Sequence, residues 1–382
     1  MSEIIKDKKI AIIGGGPGGL SLARLLQMRG ATVEVYERDF SSNARIQGGS
    51  LDLHKESGQK VIEEAGLLQE YMGVSRPEGA RLKMYDKTGS LILDIFPDPE
   101  SEIKPEIDRG DLRNLLVKSL LPGTILWNHQ FISLSKIGKQ FELIFKDRPN
   151  VTADIVIGAD GARSKVGHYI TDISPQYSGT TLIQGEVLQP EISCPEIYNM
   201  VNQGSVVALG DEKALIIQQK GDGNLIFYST ARQPEDWINT SGINFNAKQE
   251  VIHFLESFYK GWSNQFIQLF SAAFEFLPRP MYSTPVDQTW QTKENITIIG
   301  DVAHVVPPFA GVGVNMAMLD ALELANCLTN ENHTDLTTAF KVFEKRMLCR
   351  TAEMQLMTKD SEDIFHSPSA IKDLAIRVNS KP

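Results

Sequence analysis

The sequence predicts an α/β protein in which a discontinuous parallel-sheet domain is interrupted by a mainly antiparallel β-sheet domain and strapped by a C-terminal helix. Three observations predict it. A glycine-rich turn near the start joins an apolar run to an amphipathic segment. Two further apolar runs, at 154–157 and 295–299, end in Gly158-Ala159-Asp160-Gly161 and Gly300-Asp301. Between them lie short strand-like runs parted by glycine turns.

Taken in order, Ile10, Ala11, Ile12 and Ile13 form a continuous apolar run, the mark of a strand buried on both faces. After the turn, Leu20 to Arg29 reads as a helix with Leu22, Leu25 and Leu26 on one face and Gly30 at its stop. Thr32 to Tyr36 is a second strand ending at Glu37, so the opening is a βαβ unit. The runs at 154–157 and 295–299 supply further strands of the same sheet. Runs at 181–187, 205–209, 213–219 and 224–230, with turns at Gly204, Gly210-Asp211 and Gly221-Asp222-Gly223, form an antiparallel meander. Residues 83–95, turning at Gly89, are expected to add strands to it. Leu336, Phe340, Phe343 and Met347 make one stripe of a terminal helix. The expected boundaries are 1–72, 101–173 and 285–330 for the parallel-sheet domain, 73–100 and 174–284 for the inserted domain, and 331–382 for a helical segment bridging the two.

The 382 residues carry 38 basic against 48 acidic side chains, a net charge of −10, with 42% hydrophobic residues. This ordinary globular balance argues against disorder, and the absence of a basic block argues against nucleic acid as partner. Cys194, Cys327 and Cys349 form no close pair, which suits a reducing compartment. No 18-residue apolar run occurs, so a soluble, cytoplasmic protein without integral membrane association is expected; a monomer is expected as well. No histidine pair has metal-ligand spacing, so no metal is expected. Met316, Met318, Met347, Met354 and Met357 read as core filling.

Three motifs carry chemistry. Gly14-x-Gly16-x-x-Gly19 is the fingerprint of a Rossmann-like dinucleotide site: a tight turn, a close backbone approach to pyrophosphate, and tight helix–strand packing. Glu37, 18 residues past Gly19, is suited to ribose hydroxyls, and its charge disfavours a 2′-phosphate there. The bland alternative is a glycine turn without ligand. Asp160-Gly161-Ala162-Arg163-Ser164 suits a sheet mouth, but equally a plain Asp-Gly turn. The third motif runs from Gly300-Asp301 through His304, Pro307, Pro308, Phe309, Gly311 and Gly313 to Asn315. There Asp301 can reach a sugar or ribityl hydroxyl, and the glycines let backbone approach a flat ligand. His304 invites a catalytic-base reading.

Together the motifs resemble those of the group A flavoprotein monooxygenases, with the para-hydroxybenzoate hydroxylase fold, over nearly the whole chain. Residues 45–59, the run Asp108-Arg109-Gly110-Asp111-Leu112-Arg113 and the Pro307–Gly311 loop are similar to the tetracycline-degrading (TetX) branch. The resemblance implies non-covalent FAD, NADPH (or NADH) as transient reductant, O₂ as co-substrate, and hydroxylation of a phenolic or enolic carbon through a flavin C4a-hydroperoxide. No protein side chain is then expected to be catalytic, and His304 becomes a structural neighbour. Expected cofactor residues are Gly14, Gly16, Gly19, Glu37, Arg38, Arg45, Asp52, Arg109, Arg113, Asp160, Asp301, Pro308, Gly311 and Asn315, with Arg45 serving NADPH. Pro308, Gly311 and Gly313 should lie beside the isoalloxazine, and Gln184, Phe309, Pro308 and Gly311 should face substrate. Ser205, Ile226 and Val312 stand where that branch has an arginine, a histidine and a glutamine, which puts tetracycline in doubt as substrate, while a tetracycline-type antibiotic, and with it a role in antibiotic resistance, stays among the expected readings. A flavin-dependent reductase and a non-catalytic flavin- or ligand-binding protein are the competing readings. A halogenase is disfavoured because no two tryptophans are two apart.

Overall fold

A computed structural model describes residues 3–42, 44, 48–96 and 104–379. Five parallel strands form one sheet in the order Ile296–Ile298, Ile155–Gly158, Lys9–Ile13, Thr32–Tyr36 and Ile125–Leu126. The strands are drawn from distant parts of the chain. Their Ile, Val and Ala side chains are almost wholly buried, as expected of parallel strands covered on both faces.

The first helix, Pro17–Met28, starts with proline inside its first turn, has no side-chain cap, and ends before Gly30 at φ +84°. It crosses the helix Gly313–Thr329 closely: a Cβ on Gly18 would lie 3.0 Å from the Ala317 carbonyl oxygen. Both helices direct their N-termini from glycine-rich turns.

A seven-stranded sheet runs Glu275–Ser283, Gln176–Val187, Leu225–Arg232, Lys213–Gln219, Ser205–Gly210, Leu82–Asp86 and Leu91–Ile95. Neighbours are antiparallel except the parallel pair Ser205–Gly210 and Leu82–Asp86. Alternate residues such as Ile183, Phe227, Leu215 and Ile217 form a core with the helices Lys248–Phe258 and Asn264–Ala272. The opposite face, carrying Leu182, Gln184, Ile226 and Tyr228, lies away from that core.

Two small sheets were not foreseen. Phe131–Ile137, Gln140–Phe145 and Val151–Ala153 form an antiparallel sheet whose Phe145 stacks on Tyr36 with ring centroids 4.7 Å apart. Ser50–Asp52 pairs with Glu106–Asp108.

The terminal stripe behaves as its spacing predicts. In the helix Leu336–Phe365, Phe340, Phe343 and Met347 are fully buried in the core around the parallel sheet. Farther along, Glu362 accepts from the Ser178 hydroxyl at 2.7 Å and pairs with Arg232 at 3.3 Å, while His366 meets Thr230 at 3.0 Å. One helix thus touches both large sheets. A further helix, Ala370–Asn379, follows it.

Candidate functional site

The glycine turn shows which positions a side chain could occupy. Gly14 sits at φ +114°, and a Cβ there would lie 2.2 Å from the Ala159 carbonyl oxygen. A Cβ on Gly19 would lie 2.2 Å from the Gly14 carbonyl oxygen. These two glycines are required by the fold itself. Gly16 differs, because a Cβ there meets nothing within 4 Å. The gap opens at the uncapped start of Pro17–Met28, where free N–H groups and the helix dipole favour an anion.

Glu37 is held under this turn. Its Oε2 accepts from Gly15 N at 2.6 Å and its Oε1 from Asp39 N at 2.9 Å. Arg113, 2% exposed, completes the arrangement. It lies 3.5 Å from Glu37 and 3.0 Å from Asp39, and donates to the carbonyls of Gly15 and Ser42. Arg113 therefore positions the acid and the turn. Arg38 is exposed beyond the strand end, and Arg45 lies outside the described residues.

Asp160 spends its carboxylate on its own turn, accepting from Ser164 Oγ at 2.5 Å and Lys165 N at 2.9 Å. The turn packs under Gly14, whose Cβ would come within 2.9 Å of Asp160 Cα. These bonds match the plain-turn alternative, with the turn serving as the floor of the glycine loop.

Asn315, 3% exposed, ties the third motif to residues 52–58. Its Oδ1 accepts from His54 N at 2.8 Å, Ser57 Oγ at 3.2 Å and Gly58 N at 3.2 Å. Its Nδ2 donates to the Asp52 carbonyl at 2.8 Å. Asp52 then sits beside Gly311, which has φ +66° and would bring a Cβ within 3.2 Å of Asp52 Oδ1. Pro308 is exposed on the same loop, and Gly313 opens the helix. Val312 is buried.

Asp301 is exposed, yet the bulk of protein around it raises its pKa, with His304 and Arg109 opposing and Asp320 adding. Arg109 is half-buried, and burial lowers its pKa against the opposing charges of Tyr228 and Asp301. Its Cδ would lie 3.6 Å from a Cβ on Gly48, a glycine at φ +87°.

His304 is held in a buried hydrogen-bond network. It is 1% exposed, and its Nε2 meets Asp320 Oδ2 at 2.5 Å. Asp320 also accepts from Gly300 N at 2.9 Å and from Arg350 at 2.6 Å. Burial opposes both charges, but the mutual attraction raises the His304 pKa and lowers that of Asp320, so the pair forms a buried strut under the Gly300 turn. Phe309 is 8% exposed and packs edge-on against Phe365 and His366.

On the inner face of the large sheet, half-buried Gln184 lies opposite Tyr228. Ile226 is 1% exposed, and Ser205 donates to Glu106 at 3.4 Å. Glu106 is 5% exposed, and burial pushes its carboxyl up to about 8 despite Arg76 at 4.0 Å.

Sequence reasoning missed Glu106, Tyr228 and Arg279. Arg279 hides in Leu277-Pro278-Arg279-Pro280, where two prolines disguise a strand. They are tolerated because Glu275–Ser283 is an edge strand. Tyr228 was legible from the alternation of its strand, but the sequence does not say which face lies away from the helix-packed core.

Comparison with known proteins gives the family context. The FAD binding domain family model matches residues 7–207 and 281–333. The monooxygenase asqM of Emericella nidulans is 30% identical over 372 residues, covering 84% of this chain and 83% of that one. Among solved structures, Klebsiella pneumoniae HpxO complexed with FAD and uric acid superposes with a TM-score of 0.80 at 18% identity, covering 98% of this chain and 93% of that one. The tetracycline destructase Tet(55) superposes with a TM-score of 0.76 at 20% identity, covering 99% of this chain and 95% of that one.

Proposed function

The chain belongs to the FAD binding domain family and is an FAD-dependent monooxygenase; from this premise we propose that it uses NAD(P)H, preferentially NADPH, to hydroxylate a small phenolic or enolic molecule. The observations that carry the reading are the open space over Gly16 at an uncapped helix start and the placing of Arg109 close enough to feel the charges of both Asp301 and Tyr228.

The residues fit the cofactor. The open space over Gly16 and the uncapped helix behind it suit a pyrophosphate. Glu37, oriented by Arg113, would accept from ribose hydroxyls, and Asp301 from the ribityl chain, with Arg109 near its charge. Arg38 and Asp160 would border the same cofactor, and Arg45 would meet NADPH. Reduced FAD, once bound, supplies activated oxygen. The protein's part is to hold substrate against the Pro308–Gly313 loop and to exclude water. Gln184 would orient a substrate oxygen, with Phe309 behind the loop as a packed wall.

Tetracyclines are the finer question. Neither buried Ile226 nor Ser205, engaged with Glu106, offers the charged handle that an oxygen-rich ligand needs. The test is NADPH- and O₂-linked turnover of the purified yellow protein against a phenolic panel and tetracyclines. We expect a phenol to stimulate NADPH oxidation and to gain one oxygen atom, with tetracyclines at the uncoupled background. NADPH oxidation driven by an unsaturated acceptor without O₂ uptake makes it a reductase. Flavin that NADPH and NADH both fail to bleach makes it a binding protein.

A further inference from the structure

Resting on the reading that sets the Pro308–Gly313 loop beside the flavin, we propose that His366 is a positioning residue: it fixes Phe309, and with it that loop, to the strand Leu225–Arg232 of the inserted sheet. His366 is buried at the end of the helix Leu336–Phe365. Its ring joins three segments that are far apart in the chain. Nδ1 lies 2.8 Å from the carbonyl oxygen of Glu362, one turn back in its own helix. Nε2 lies 3.0 Å from the Thr230 hydroxyl on the seven-stranded sheet. The Phe309 ring stands perpendicular to the imidazole with centroids 5.4 Å apart, and meets Phe365 at 5.9 Å.

The proton on the ring makes this joint specific. A carbonyl only accepts, so Nδ1 carries the proton and Nε2 presents a lone pair. Burial lowers the His366 pKa to about 4, which leaves that lone pair free at neutral pH. The Thr230 hydroxyl therefore donates to Nε2 at 3.0 Å in preference to the Ala214 carbonyl at 3.4 Å. Two hydrogen bonds in one tautomer fix the plane of the ring, and so the surface it offers to Phe309. Phe309 passes the constraint on. Pro308–Ala310 is a single tight turn whose three side chains are all apolar, so packing is what can hold it. Of the three, Phe309 alone is buried, while Pro308 is exposed and Ala310 half-buried. The turn leads directly into Gly311, beside Asp52, and then into the helix Gly313–Thr329.

The test reads three quantities on the FAD-loaded protein: amide exchange at residues 309–313, the Tm, and the visible circular dichroism of the bound flavin. His366→Ala should lower the Tm, accelerate exchange at 309–313 by at least about tenfold and alter the flavin dichroism. His366→Gln separates anchoring from positioning. Its amide offers a donor and an acceptor that can renew both hydrogen bonds, but no ring for Phe309. The Tm should therefore return most of the way to wild type, while exchange and dichroism stay altered. Phe309→Leu should match His366→Gln in both of those readouts and add little to it in the double variant. Exchange and dichroism that recover together with the Tm in His366→Gln make His366 an ordinary helix cap and overturn the proposal. Unchanged exchange at 309–313 in His366→Ala, with dichroism altered by Phe309→Leu, also overturns it and leaves the loop beside the flavin. Accelerated exchange with unchanged dichroism in every variant takes the loop away from the flavin and overturns the proposal through the reading on which it rests.

Discussion

Arg113 Nη2 stands 3.5 Å from Glu37 Oε2, with both side chains no more than 5% exposed, while Arg113 Nε donates to the Gly15 carbonyl at 3.2 Å. One guanidinium thus fixes the acid and the glycine turn together. Arg113→Met takes the countercharge from a buried carboxylate, at a cost of about 3–5 kcal/mol. The expected result is a lower Tm and substoichiometric FAD after gel filtration, read from the ratio of visible to 280 nm absorbance. Full flavin content with an unchanged Tm would remove Arg113 from this role.

The glycines separate fold from ligand. Gly16→Ala places a methyl in open space, so the apoprotein should melt at the wild-type temperature while FAD affinity falls. Gly14→Ala forces a Cβ into the Ala159 carbonyl at a positive φ, so that variant should lose stability even without cofactor. Melting curves of the two apoproteins, followed by flavin titration, check the contrast.

Asn315→Ala strips three donors, at His54 N, Ser57 Oγ and Gly58 N, of their common acceptor. Buried unpaired groups cost about 1–3 kcal/mol each. The Tm should fall, and amide exchange at residues 53–58 should accelerate.

Glu106 titrates upward on folding, from an ordinary 4.5 to about 8. The folded state therefore holds the proton more tightly. The stability this contributes is complete below pH 4.5 and is lost as the pH rises towards 8. Glu106→Gln keeps the neutral form at every pH, so its Tm should exceed the wild type's at pH 8 and converge with it near pH 5. A constant difference across that range would refute the assignment.

Much of this was readable in advance for a physical reason. Gly14, Gly19, Gly311 and Asp301 are identified by local demands, a positive φ, a close backbone approach or a strand end, that a sequence displays directly. That the runs at 154–157 and 295–299 join the opening strands in one parallel sheet followed from where they meet Gly-Ala-Asp and Gly-Asp turns, whereas the edge strand Ile125–Leu126 and the strand order did not. What could not be read depends on register between distant strands. Gln184 stands between Tyr228 and Leu277 only through strand register, and no local pattern encodes that pairing. Arg113 likewise gave no sign that it would pair with the acid after the second strand, since 76 residues separate it from Glu37. Phe309 sat in a motif but met partners from a helix more than fifty residues on.

The strand Ile296–Ile298 completes the parallel sheet only after the seven-stranded sheet has been synthesised. On the ribosome, Ile155–Gly158 must wait with one edge unpaired until that late segment emerges, while most strands of the inserted sheet find partners close in sequence. The nascent nucleotide domain is therefore an open template for wrong pairing during much of translation. The exposure of that edge follows from the order of the chain and is independent of the stability of the finished fold.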